Sequence, residues 1–313
     1  MIVTIYGPYY RPNNICMEII KVKNNINLQN YTTIKVGGCT EFFAEPKDIS
    51  ELIEYLKWVK LKNLRYRIIG AGSNLLIKNA FHKGLTISTR KLKTIKINRL
   101  SGLVEAECGV MLPVMANLLA QNGCEGGEWL IGIPGTIGGA VFMNAGSGKL
   151  WVSKYLLSIQ VFNINNLSVY TLDKKTLNFQ YRLSSFQTNN LIILSANFIF
   201  KPNKDIKKIT DQTKKNLKKK TKTQPYHLPS FGSVFKNPEN NYAGKLIEEV
   251  GLKGFSIGEA QVSKMHSNFI VNNGNATSEE IYQLISLIQQ KVFKNTGIFL
   301  HPEVRMIGYW LSL

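Results

Sequence analysis

The feature that most restricts the fold is a glycine turn with no helix behind it. Tyr66-Arg67-Ile68-Ile69 reads as a strand and runs into Gly70-Ala71-Gly72-Ser73-Asn74-Leu75. Leu75-Leu76-Ile77 and Leu85-Thr86-Ile87-Ser88 then read as extended chain. A doubly wound nucleotide fold needs G-x-G-x-x-G and an amphipathic helix whose N-terminus meets the pyrophosphate. This stretch has neither. It is therefore an ordinary turn between strands, or a nest in which its own backbone N–H groups, with Ser73 and Asn74, hold an anion.

A second glycine segment, Ile133-Pro134-Gly135-Thr136-Ile137-Gly138-Gly139-Ala140, follows Gly132. Pro134-Gly135 sets a turn, and Gly138-Gly139 removes side chains where a flat ring or a phosphate approaches. Close packing of two backbones would use the same residues. Two such loops in one half of the chain favour a dinucleotide lying across it. Its contacts would come from Gly70, Ala71, Gly72, Ser73, Asn74 and Leu75, and from Gly132, Pro134, Gly135, Thr136, Gly138 and Gly139.

Around these loops the pattern is α+β. Asp48 with Glu51 opens a helix whose apolar face is Leu52, Ile53, Leu56 and Val59. Pro113 starts another that stops at Gly123. Residues 155–200 alternate apolar and polar as antiparallel strands do. Beyond Pro229, Ala243–Val250 reads as a short helix and Asn268–Asn272 as a strand. Thr277 with Glu280 caps a last helix with the face Ile281, Leu284, Ile285, Ile288 and Val292. The division expected is an N-terminal extension 1–27, a cofactor domain 28–203, a basic linker or helix 204–224 and a smaller C-terminal domain 225–313. Met17 is an alternative start.

The chain of 313 residues carries a formal charge of +19, which suggests either an anionic partner or lysines spread over solvated faces. Lysines concentrate only in 204–222, where nine stand against two acids and no aromatic residue. A nucleic-acid arm often interleaves aromatics with its basic residues, so a solvated helix is the better reading and no nucleic-acid partner is expected. Cys16, Cys39, Cys108 and Cys124 form no C-x-x-C pair, which points away from a zinc ribbon or disulfide framework and toward a reducing compartment, the cytoplasm or its stromal equivalent. Four scattered histidines without H-E-x-x-H argue against a metal site. The apolar run from Trp129 to Gly148 is too rich in glycine for a membrane helix. A monomer is expected.

One segment stands apart. Phe231-Gly232-Ser233-Val234-Phe235-Lys236-Asn237-Pro238 puts a serine among apolar residues, as suits a hydroxyl in a dry pocket. In order with it stand Thr32-Thr33-Ile34-Lys35-Val36-Gly37-Gly38, both glycine segments, Tyr181-Arg182-Leu183-Ser184-Ser185-Phe186 and Pro302-Glu303-Val304-Arg305-Met306-Ile307-Gly308. Over residues 28–309 the chain resembles the UDP-N-acetylenolpyruvoylglucosamine reductase (UDP-N-acetylmuramate dehydrogenase) family. The short step from Pro238 to Ala243 resembles its compact subtype.

The resemblance implies an FAD-binding domain of the vanillyl-alcohol-oxidase (PCMH) type and a C-terminal substrate domain. It also implies a reaction: NADPH reduces FAD, and the flavin reduces the enolpyruvyl group of a UDP-sugar to give UDP-N-acetylmuramate, a peptidoglycan precursor. By the same match Arg182 is a cation at the substrate carboxylate, Glu303 a protonated donor nearby, and Ser233 the proton donor, with Asn237, Lys222 and His266 at the substrate. Lys222 is offered because Thr223 stands where the family has a lysine, two residues before the proline matching Pro225. Singly, Arg182 also reads as a strand-end ion pair, Ser233 as a turn residue, Glu303 as a surface acid and His266 as a core or surface histidine. The runner-up function is a related FAD-dependent oxidase of a small hydroxy acid or alcohol. A basic nucleic-acid module ranks last, because it leaves the glycine loops without a role.

Overall fold

The computed structural model describes residues 2–4 and 20–310. Of the expected extension 1–27, residues 1 and 5–19, with the alternative start Met17, lie outside them. A mixed sheet has the strand order Ile2–Thr4, Lys21–Asn27, Cys39–Ala44, His82–Ser88, Tyr66–Ile69. Lys21–Asn27, assigned to an extension by sequence, is thus a sheet member, antiparallel to Cys39–Ala44. His82–Ser88 runs parallel to both its neighbours. Parallel strands need crossovers rather than hairpins, and helix α1 (Ile49–Leu61) lies in one. Asp48 caps it by accepting the Glu51 N–H at 2.8 Å, and Leu52, Tyr55, Leu56 and Val59 form its buried stripe.

A second sheet is antiparallel throughout, in the order Ser168–Asp173, Leu156–Asn163, Leu191–Ile199, Leu103–Glu107, Ile95–Ile97. Helix α2 (Leu112–Gln121) and helix α3 (Ile137–Met143) add buried residues to the core it shares with α1. The second glycine segment, read as a loop, therefore ends inside a helix. Thr136 caps α3, and burial of Ile137, Ala140 and Val141 outweighs the low helix propensity of Gly138-Gly139.

Helix α4 (Ile206–Thr223) is the basic segment. It buries Ile209 and Thr213 and packs against α2 and the turn Leu130–Gly132, while most of its lysines face outward. The third sheet, Ser230–Ser233, Phe269–Asn272, Ala260–Val262, Ser256–Ile257, lies with helix α5 (Ala243–Glu249) and helix α6 (Ser278–Thr296) around a second core. That core also takes Ile34, Val36 and Leu76 from the N-terminal half. The chain finally returns, so that Arg305–Ile307 pairs in parallel with Leu75–Ile77 directly after the first glycine loop.

Helix α6 has the full reciprocal cap between Thr277 and Glu280 and ends at Gly297, φ 70°. Thr277→Ala should cost about 1 kcal/mol, read as a lower urea midpoint at unchanged slope.

Candidate active site

Ser233 owes its direction to a β-bulge. Ser230 pairs with Val271 and Ser233 with Phe269, so the strand carries one more residue than its partner between the two pairs. Gly232 absorbs the irregularity at φ 78°, a left-handed conformation that costs glycine nothing. Phe231, Val234 and Phe235 are buried around it. The Ser233 hydroxyl itself has no protein hydrogen-bond partner among the described residues and lines a cavity of about 560 Å³. Asn268 secures the bulge from the neighbouring strand. Its side-chain oxygen accepts the Phe235 N–H (3.0 Å), its amide donates to the Phe235 carbonyl (2.9 Å), and its own carbonyl accepts the Val234 N–H (2.9 Å).

Arg182 enters the same cavity from the two-residue turn between Phe179–Gln180 and Leu183–Ser184. It sits at φ 56°, a strain of order 1–3 kcal/mol for a side chain with a Cβ. The guanidinium holds it there: Nε donates to Glu303 Oε1 at 2.5 Å, Nη2 donates to the Gly146 carbonyl at 3.1 Å, and the group lies over the Tyr181 ring. Both side chains of the pair are shielded, with Arg182 18% and Glu303 14% exposed. Burial pushes the Glu303 carboxyl above its ordinary range, with Arg182 pulling the other way.

Asn237 and His266 also line the cavity. Asn237 Oδ1 accepts the Ala243 N–H and so opens α5, and its backbone N–H donates to the Tyr181 hydroxyl. His266 Nδ1 accepts the Asn268 N–H at 3.2 Å. Burial, helped by Lys220 and Lys253, lowers its pKa, so the neutral ring carries its proton on Nε2.

The expected Lys222 is not brought to this group; its side chain is exposed. Lys220, two residues earlier, is the half-buried lysine of α4, close enough for its charge to act on Arg182 and His266 without lining the cavity. Its stem crosses the bare Cα of Gly132, and its ammonium is lowered in pKa by burial and then by Arg182. The signal lay in helical period: Ile209, Thr213, Asn216 and Lys220 recur at intervals of three and four along the sheltered face of α4, whereas Lys222 falls outside that stripe.

The two glycine segments touch. Ser73 Oγ donates to the Pro134 carbonyl at 2.7 Å, and Gly70 abuts Thr136. In the first loop the carbonyls are turned inward. Arg90 donates to those of Gly70 (3.3 Å) and Ala71 (2.8 Å), the Thr33 N–H donates to that of Gly72, and the Arg305 N–H to that of Asn74. The N–H groups of Ala71, Gly72, Ser73 and Asn74 donate to no protein acceptor among the described residues. That is the donor set of an anion nest. The Ser73 and Asn74 side chains do not join it, since Asn74 Nδ2 donates to the Glu303 carbonyl at 3.1 Å.

The second segment is split between the two readings. Gly138 is glycine because Cys108 packs on it, as Lys220 packs on Gly132 and the Tyr31 carbonyl on Gly72. Gly135 and Gly139 are different: a Cβ there would meet only Ser73 Oγ and Thr136 Oγ1, at 3.4 and 3.6 Å. The α3 amides from Ile137 to Ala140 are already bonded to protein acceptors, so this segment offers a bare surface and not an anion nest. On the adjoining strand, where Ser88 pairs with Ile69 just before the first loop, the buried Ser88 hydroxyl has no partner among the described residues. Free amides, two open glycines and an unpaired buried hydroxyl suit a phosphate-bearing cofactor with a flat ring.

The family model for an FAD binding domain matches residues 40–165, spanning both glycine segments. That for the C-terminal domain of UDP-N-acetylenolpyruvoylglucosamine reductase matches 224–307, which holds Ser233 and Glu303. The UDP-N-acetylenolpyruvoylglucosamine reductase of Prochlorococcus marinus subsp. pastoris is 59% identical over 94% of this chain and 99% of that protein. The chain belongs to the UDP-N-acetylenolpyruvoylglucosamine reductase family. The reductase of Prochlorococcus marinus strain MIT 9313 is 44% identical over 93% of the chain and 94% of its own length. The crystal structure of the Thermus caldophilus reductase superposes with a TM-score of 0.76 at 30% identity, covering 92% of this chain and 99% of that one. The family places the chain among flavin oxidoreductases of peptidoglycan precursor synthesis, with FAD as cofactor and the α+β class expected from sequence. No helix among the described residues is long and apolar enough to cross a membrane.

Proposed function

We propose that the protein reduces UDP-N-acetylenolpyruvoylglucosamine to UDP-N-acetylmuramate with electrons from NADPH, using Arg182, Glu303 and Ser233 as its reacting groups. The observation that carries the reading is the convergence of these three side chains on one cavity beside the first glycine loop. The free amides of Ala71 to Asn74 would hold the FAD pyrophosphate, and Gly135 and Gly139 would let the cofactor approach the backbone. When bound there and reduced by NADPH, FAD would supply a hydride.

Addition of hydride to the end carbon of an enol ether conjugated to a carboxylate leaves negative charge on the other alkene carbon, shared with the carboxylate oxygens. Arg182 stabilises that charge as it grows. Its Nη1 has no protein acceptor among the described residues, so one edge of the fork is open to the carboxylate. Glu303, favoured in its neutral form by burial, donates alongside rather than repelling. Ser233 delivers a proton to the carbanionic carbon; a weak acid suffices because the acceptor is very basic and held in place. Asn237 and the Nε2–H of His266 meet the nucleotide-sugar.

Lys220, rather than Lys222, fills the role of the family lysine and steadies a phosphate. Lys220→Met is expected to raise the KM for the nucleotide-sugar or NADPH by about 10–100-fold, the worth of a charge-assisted hydrogen bond. Lys222→Met should stay within about twofold, as for an exposed side chain. Steady-state titration of both substrates distinguishes them.

The N-terminal cofactor unit, 28–203 together with the sheet strand Lys21–Asn27, and the C-terminal unit, 225–313, act as one monomer in the cytoplasm. The free thiols of Cys39, Cys108 and Cys124 suit a reducing compartment, and sedimentation tests the oligomeric state. A visible spectrum tests the function. The protein should be yellow, bleach with NADPH and recolour with the enolpyruvyl nucleotide. Recolouring only by oxygen, with a hydroxy acid or alcohol as reductant, would establish the oxidase alternative.

A further inference from the structure

The side chain of Asn74 lies in the cofactor loop but is directed away from the loop's free amides. The peptide Glu303-Val304-Arg305 is held on two sides. On one, the Val234 carbonyl accepts the N–H of Glu303 at 2.7 Å and that of Val304 at 3.4 Å. On the other stands Asn74, whose own carbonyl accepts the Arg305 N–H at 2.9 Å and whose Nδ2 donates to the Glu303 carbonyl at 3.1 Å. The parallel ladder between Leu75–Ile77 and Arg305–Ile307 stops at Leu75, because the chain there bends into the loop. The Asn74 amide takes the place of the next ladder donor and carries the pairing back to Glu303. Val234, on the opposite side, adjoins Ser233.

We infer that Asn74 is a positioning residue that ties the cofactor-phosphate loop to Glu303 and thereby sets the carboxyl against Arg182 and Ser233. The inference rests on the reading of Glu303 given above. A loop whose backbone amides hold the cofactor and whose one side chain holds the acid couples the two: an ordered loop presents Glu303, and a displaced loop releases it. Asparagine suits the place because its side chain is short, carries a donor and bears no charge. Aspartate has the same shape without the donor, and alanine has neither.

The test uses the holoenzyme with Asn74→Asp, Asn74→Ala and Asn74→Ser, the last retaining a donor. Three quantities are read: FAD dissociation by fluorescence, the rate of flavin reoxidation by the enolpyruvyl nucleotide, and the pH at which that rate falls on the alkaline side. For the Asp and Ala variants the expected result is FAD affinity within about threefold of wild type and reoxidation slower by about 10–100-fold. Their alkaline limb should move to lower pH, since a carboxyl no longer held in its shelter returns toward ordinary carboxylate behaviour. The Ser variant should recover part of both changes. An unmoved limb, or a loss confined to FAD affinity, overturns the inference and makes Asn74 a cofactor ligand. Failure of the wild-type enzyme to be reoxidised by the nucleotide overturns the functional reading and this inference with it; normal wild-type reoxidation with an unmoved limb in the variants overturns this one alone.

Discussion

Ser233→Ala should leave a yellow protein that NADPH bleaches at close to the wild-type rate and that the enolpyruvyl nucleotide recolours about 10²–10⁴-fold more slowly. The two halves separate because the serine hydroxyl has one use. It has no protein hydrogen-bond partner among the described residues and lines the cavity, so the substitution strands no buried partner. Stability should therefore change by no more than about 0.5 kcal/mol. The bulge that aims the side chain is made by Gly232 and pinned by Asn268, and neither depends on the hydroxyl. Stopped-flow absorbance resolves the two phases. Equal slowing of both would remove Ser233 from the role of proton donor.

Arg182→Met is expected to slow reoxidation by about 10²–10³-fold, the usual loss when a group opposing developing negative charge is deleted. It should also alter the pH dependence of stability, with a definite sign. In the wild-type fold Glu303 already titrates above its ordinary 4.5 because burial raises it, and Arg182 is the main influence holding it down. The fold therefore favours the protonated acid. That contribution is complete below the unfolded value and is lost as pH rises through the folded value. Without Arg182 the folded value moves higher. The stability gap between wild type and variant should thus be small in acid and widen as pH climbs through the wild-type Glu303 titration. Its alkaline limit is the cost of about 3–5 kcal/mol for stranding one partner of a shielded pair. Thermal melts at pH 5 and pH 8 measure the gap; one that is constant, or narrows toward alkaline pH, would show that the Arg182 contact does not govern Glu303.

Much of the architecture was legible because short-range physics writes it. The Asp48 and Thr277 caps, the apolar stripes of α1 and α6, and the alternation between residues 155 and 200 all depend on neighbours within a turn or a pleat. The absence of a helix after Gly70 was equally local and removed the doubly wound folds. Legibility failed where packing competes with propensity. Gly138-Gly139 lies in the first turn of a helix, against its intrinsic preference, because Thr136 caps it and the flanking Ile137, Ala140 and Val141 find a core. Lys222 was offered as the neighbour of Thr223 in the chain, but the helix turns Lys222 outward and Lys220 toward Arg182. Ser73 and Asn74 were expected to hold an anion with their side chains, and both side chains are committed to other backbone carbonyls.

By itself the amino-acid order determined which chemical groups exist and which local elements carry them: a serine after a permissive glycine, an arginine in a tight turn, an acid ahead of a short strand, and two bare-backbone segments. Only the tertiary structure decided that these groups meet. Arg182 and Glu303 are 121 residues apart in the chain, and their contact exists because the last strand returns to pair beside Leu75 while Asn74 and Val234 hold the intervening peptide. Such a meeting depends on sheet pairing between remote segments, where the entropy of closing a long loop is offset only by the completed core. No local pattern encodes that balance.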